Sequence, residues 1–101
     1  MPSGYVGILS VELFFPESHS LKDKRHHLRS LKAQLQHRVG CSIAEVDHHE
    51  TWQRARLTLS CVTREAGEAE RLLDQAERYV RGQDVDVLVC DRRTVTLDDE
   101  A

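Results

Sequence analysis

The chain contains no asparagine, one tryptophan, one methionine and two prolines in 101 residues. Its three cysteines, Cys41, Cys61 and Cys90, lie 20 and 29 residues apart. An odd number without a C-x-x-C spacing argues against a disulfide framework or a paired-cysteine metal site. Each lies in an apolar segment, so the thiols are expected to be reduced, buried and inert, as in a cytoplasmic protein. No apolar run reaches the length of a bilayer span. No basic-then-apolar leader precedes the first of them, so no membrane attachment is expected. The net charge of −3 gives no global attraction to nucleic acid or membrane. The 40% hydrophobic and 31% charged residues are those of a globular chain, and the length is that of one domain.

What is present is a sequence of well-marked periods. From Tyr5 to Phe15, Leu9, Val11, Leu13 and Phe15 share one parity while Ser10 and Glu12 share the other. This predicts a strand with one buried and one partly wet face, ended by Pro16. Ser20 to Val39 predicts a helix, with Leu21, Leu28, Leu31, Leu35 and Val39 on one stripe, a capping box of Ser20 and Asp23, and Gly40 as the stop. Cys41 to Asp47 reads as a second strand, His48 to Thr51 as a turn, and Trp52 to Val62 as a third strand. Thr63 to Arg81 reads as a second helix capped by Thr63, with Leu72, Leu73, Ala76 and Val80 facing inward. Val85, Val87 and Val89 form a fourth strand, which Thr94 to Leu97 extends or re-pairs.

This order predicts an α+β fold of the ferredoxin-like βαββαβ type, a four-stranded antiparallel sheet with both helices on one face. Residues 1–97 form that single domain and 98–101 a flexible acidic tail. The second sheet face is left open, and Ser10, Glu12, Glu45, Asp47, Arg54, Arg56 and Thr58 are assigned to it.

The modest net charge hides an asymmetric distribution. From Ser18 to Arg38 there are six lysines and arginines and one acid, a net of +5, so the rest of the chain sums to −8. The first helix places Lys22, Lys24 and Arg25 in its first turn, where the helix dipole disfavours each by roughly 0.3–1 kcal/mol. Free N–H groups beside clustered cations make a phosphate or carboxylate site. Lys22, Lys24, Arg25 and Arg29 are therefore the candidate phosphate or RNA contacts. The alternative is a solvated basic face balanced by the protein's own Glu17, Glu12 or acidic tail. Lys24 falls at the edge of the leucine stripe, so its stem is expected to run along apolar surface with the ammonium directed out to solvent.

Other constellations carry less. Asp47 to Glu50 reads D-H-H-E, but adjacent strand residues point to opposite faces, so no metal site is expected. His48 is instead placed to hydrogen-bond across the sheet and fix the hairpin. Trp52, beside the turn, is assigned to the core or to an oligomer contact rather than to base stacking. Acylphosphatase chemistry on this scaffold uses a glycine-bearing loop, an arginine and an asparagine. The first strand–helix loop here, Pro16 to Ser20, has no glycine, so neither an enzyme nor a cofactor is expected. The open face lacks the aromatics of an RNA-recognition motif. Its mixed charges, with Trp52 at the margin, suit cross-strand pairs or a homo-oligomer interface through Glu12, Glu45, Arg54 and Arg56.

The runs H-S-L-K-D-K-R (His19 to Arg25), A-E-V-D-H (Ala44 to His48) and W-Q-R-A (Trp52 to Ala55) resemble the YlxP-like family of small bacterial proteins, domain-of-unknown-function family 503. The resemblance extends from the first strand to about Asp91. It implies a ferredoxin-like fold and no established catalytic residues. It also implies a gene neighbourhood between a translation initiation factor and a ribosome-binding factor. Ribosomal RNA or the small ribosomal subunit is the partner this suggests, with the protein an accessory factor in ribosome biogenesis or translation. This sequence departs from the family in its acidic, longer tail after Arg93 and in having His49 within the turn.

Overall fold

The computed structural model describes residues 2–98. Its elements are β1 (Tyr5–Phe14), α1 (Leu21–Val39), β2 (Ser42–Asp47), β3 (Arg54–Thr63), α2 (Ala66–Arg81) and β4 (Asp86–Val95). The sheet runs in the order β2-β3-β1-β4 with every neighbour antiparallel. Each helix therefore joins two parallel strands that have a third between them, the split βαβ arrangement expected from the element order. Leu9, Val11 and Leu13 of β1 and Ala55, Leu57, Leu59 and Cys61 of β3 face the helices. There they form one core with Leu28, Leu31 and Leu35 of α1 and Leu73, Ala76 and Val80 of α2. Gly7 lets α2 approach β1 closely, because a Cβ there would lie 3.2 Å from both Leu73 and the Cys61 sulfur.

The cap of α1 forms as its sequence predicts. The Ser20 hydroxyl accepts from the Asp23 N–H at 3.0 Å, and the Asp23 carboxylate accepts from the His19 N–H, also at 3.0 Å. Gly40 closes the helix in the left-handed conformation, at φ +70°. Other boundaries move. Thr63 does not cap α2: it is the last residue of β3, and its hydroxyl donates to the Glu65 carbonyl at 2.7 Å. β4 is one continuous strand from Asp86, interrupted only by a bulge that leaves Leu88 without a partner opposite Glu12 and Leu13. The acidic tail assigned to 98–101 lies outside the described residues except for Asp98, whose carboxylate accepts from the Ser3 N–H at 2.7 Å. Cys41 and Cys61 are buried and Cys90 partly so, and burial pushes all three thiols up. No helix among the described residues is long and apolar enough to cross a membrane.

A second bulge in β2 decides which way its side chains point. Glu45 pairs with Leu57 and Asp47 with Arg56, so Val46 is the extra residue. Glu45 thus shares the helix-facing side with Ile43, and Asp47 returns to the open face. The sequence-based assignment of Glu45 to the open face is corrected on this ground: regular alternation from Ile43 carries Glu45 to the helix-facing side, and only beyond it does the extra Val46 return Asp47 to the open face.

Candidate functional site

Residues of the three sequence runs meet at the loop between β2 and β3. At its centre is Lys24, which is 1% exposed. Its position on α1 follows from the leucine stripe: it sits one turn before Leu28, so its stem enters the core edge. Its ammonium donates to Glu45 Oε2 at 3.0 Å and to the carbonyls of His48 and Arg54 at 2.7 and 3.1 Å, with a longer contact to the His49 carbonyl at 3.4 Å. The three N–H donors of an ammonium are fully used. Lys24 therefore does not direct its charge to solvent, and it is withdrawn from any external phosphate. The carbonyls of His48 and Arg54 draw the ammonium inward, and the Glu45 carboxylate neutralises it there.

On the open face, a second cluster surrounds Glu12, which is buried although it lies outside the helix layer. Arg54 donates to Glu12 Oε2 at 2.8 Å, His48 Nε2 lies 2.6 Å from the same oxygen, and Arg56 lies 3.6 Å from Oε1. Arg56 also donates to Ser10 at 2.9 Å and to Asp91 at 2.9 Å. Burial alone would raise the Glu12 carboxyl. The hydrogen bond from Arg54 and the fields of His48 and Arg54 outweigh it and hold the group below its ordinary value of 4.5. His48, expected to hydrogen-bond across the sheet, thus reaches from the β2–β3 turn to Glu12 on β1. Its backbone takes φ +65°, a left-handed conformation uncommon for a residue with a side chain. The two histidines of the turn diverge, His48 to Glu12 and His49 to the Glu45 carbonyl at 3.1 Å. Trp52 is not in the core: it is 50% exposed.

The cations on the flank of α1 form a third feature, with Arg25 and Arg29 exposed and Lys32 half-buried. Arg25, Arg29 and Lys32 lie four and three residues apart, on one side of the helix. They line a groove of about 400 Å³ between α1 and β2, floored by Leu28 and Ile43 and closed at one wall by Glu45. Among the described residues, none of Lys22, Arg25, Arg29 and Lys32 makes an ion pair. The contrast is Arg92 on β4, held by Glu70, Asp74 and Glu77 of α2 at 3.1, 2.9 and 3.2 Å. Of the four expected phosphate contacts, Arg25 and Arg29 share the groove, Lys22 is exposed outside its lining, and Lys24 is internal. Lys32 belongs with the first two. Its spacing of seven from Arg25 is the signal that places it on their face. The first turn of α1 is capped by Ser20 and holds the acidic Asp23, and Arg25, Arg29 and Lys32 lie along the helix flank rather than at its end.

The chain matches the family described as "Protein of unknown function (DUF503)" over residues 6–94. A curated relative, "Uncharacterized protein YlxP" of Bacillus subtilis (strain 168), is 25% identical over 75 residues, 74% of this chain and 82% of the relative. Among solved structures, the fold is similar to that of PA3566 from Pseudomonas aeruginosa, with a TM-score of 0.51 and 16% identity over 95% of this chain and 96% of that one. It is also similar to the de novo designed protein Foldit4, with a TM-score of 0.53 and 10% identity over 91% and 97% of the two chains. At these identities, the structural likeness concerns the fold alone.

Two expectations follow. Replacing Lys24 by Met leaves Glu45 and the turn carbonyls without their donor, and urea denaturation should show a loss of about 3–5 kcal/mol. A loss below about 1 kcal/mol would mean that the turn does not depend on the ammonium. For Glu12 the sign is that of a depressed carboxyl, whose stabilisation is complete above the unfolded value near 4.5 and is lost as pH falls through the lower folded value. Stability measured from neutral pH downwards should therefore fall in acid. Glu12→Gln should be less stable at neutral pH and show a shallower acid decline.

Proposed function

The chain belongs to the DUF503 family, and from that membership and the groove beside α1 we propose that it is a non-catalytic accessory protein that contacts RNA phosphates. The observation that carries this reading is the set of unpaired cations Arg25, Arg29 and Lys32 in one groove. Elsewhere on the molecule, Arg54, Arg56, Arg81 and Arg92 are matched by carboxylates, whereas Arg38 and Arg78, which share a second groove, and Arg64 and Arg93 also make no ion pair among the described residues. A helix rises about 1.5 Å per residue, so the three cations span roughly 10 Å. Arginine's planar fork suits phosphate oxygens, and contacts of this kind fix position without reading bases. The gene neighbourhood implied by the family resemblance directs the reading to ribosome biogenesis or translation, with ribosomal RNA in the small subunit as the partner.

A second reading rests on a different surface. On the open face, Val95, Val6 and Val62 stand in one cross-strand row, and Val62 is 76% exposed. Such a row favours a homo-oligomer contact between sheets.

Co-sedimentation with small ribosomal subunits, and filter binding to a ribosomal RNA fragment, test the first reading. Association should weaken steeply with salt. The Arg25→Ala/Arg29→Ala/Lys32→Ala variant should lose it, with the slope of log K against log salt shallower by about 2–3. Salt-independent binding, or a variant that binds as the native chain does, would overturn the reading. Binding of polyglutamate but not RNA would reassign the groove to an acidic protein. Sedimentation velocity of the free protein tests the second reading, where a concentration-dependent dimer that Val62→Asp abolishes is expected and a strict monomer at tens of micromolar would remove it.

A further inference from the structure

Trp52 is the chain's single tryptophan, and half of it faces solvent. An indole normally buries most of its large apolar surface. Here the turn that carries it is anchored on both sides. Lys24 binds the carbonyls of His48 and Arg54, His48 is pinned to Glu12 through its ring, and the Thr51 N–H donates to the His48 carbonyl at 3.1 Å. On the other side, Gln53 joins the turn to the loop before α1: its amide donates to the Ser18 carbonyl at 3.1 Å, and its carbonyl accepts from the Phe15 N–H at 2.8 Å. A rigid, presented aromatic loses little entropy when a flat partner covers it.

The turn is also the end of the basic groove. Glu45 is a wall of that groove, a partner of Lys24, and the residue whose carbonyl meets the His49 ring. Arg25 is the next residue after Lys24 on α1. The line of unpaired cations therefore begins where the turn carrying Trp52 is tied down. Trp52 lies outside the lining of the groove, but its turn is tied to that groove through Glu45 and Lys24. Cations for a backbone and an exposed indole for a base are the combination by which single strands are held. A duplex offers the same phosphates but keeps its bases stacked and out of reach.

Building on the phosphate reading above, we infer that Trp52 is a stacking platform for an unpaired base, so that the groove receives single-stranded RNA in preference to duplex. The single tryptophan makes the test direct. The native protein is titrated with a single-stranded RNA of mixed sequence, with an RNA duplex of equal phosphate count, and with inorganic polyphosphate, while its fluorescence and affinity are followed. The single strand should quench the fluorescence and bind more tightly than the duplex, and polyphosphate should compete without quenching. Trp52→Ala should weaken single-strand binding roughly ten- to hundred-fold and leave polyphosphate binding unchanged, with Trp52→Phe recovering part of the loss. Single-strand binding that is lost in the Arg25/Arg29/Lys32 variant but is unquenched and indifferent to Trp52→Ala would overturn the stacking role and leave the phosphate reading standing. The absence of any RNA or polyphosphate binding would remove both. A fluorescence change that follows protein concentration rather than RNA would assign the indole to self-association instead.

Discussion

A single buried ammonium holds together segments that are otherwise remote. Lys24 reaches Glu45, His48 and Arg54, which lie 21, 24 and 30 residues away in the chain. It joins α1, the outermost strand β2, and the start of β3. Carbonyls in a loop, and a carboxylate turned towards the helices, each carry a desolvation cost when buried. One lysine satisfies them together, and the apolar stem that carries it completes the edge of the core. The position of the β2–β3 turn depends on that arrangement, and so does the direction in which Trp52 is presented.

Charge is divided between the two sides of the molecule in different ways. On the α2 and β4 side, several carboxylates and arginines are matched: Arg92 has three acidic partners and Glu77 is shared with Arg81, while Arg78 and Arg93 make no ion pair among the described residues. On the open face, Glu12 is surrounded by two arginines and a histidine. The flank of α1 is left with positive charge that no side chain of the described residues answers. A near-neutral chain thus acquires a local field through the placement of its pairs rather than through composition.

Much of this was legible in the sequence. The alternation of Leu9, Val11 and Leu13, the stripe from Leu28 to Val39, and the Ser20 and Asp23 cap all name their own structures, because each depends on neighbours within a few residues. The direction of Lys24 is another matter. A lysine at the margin of an apolar stripe has a stem that suits the core and a head that suits water. The outcome here was set by carbonyls in a turn that the sequence places far from it. Glu45 falls on the wrong face when it is grouped with Asp47, because nothing in the pattern shows that the extra Val46 puts the two on opposite sides. Trp52 was assigned to the core or an oligomer contact because large aromatics usually are buried, and only the anchoring of its turn explains why the ring stays out. Arg25 and Arg29 were found from charge alone. Lys32 required the geometry of the helix face.

The two bulges also bear on how the sheet ends. Both outer strands, β2 and β4, expose a row of backbone groups that a neighbouring molecule's strand can pair with. Val46 and Leu88, half-exposed and apolar, are the extra residues of those strands. Each bulge breaks the regular spacing of free N–H and C=O groups and twists the strand locally. No uninterrupted edge of ten residues is therefore offered to another chain. Two side chains that look misplaced on a solvent surface mark the points at which the sheet declines to grow.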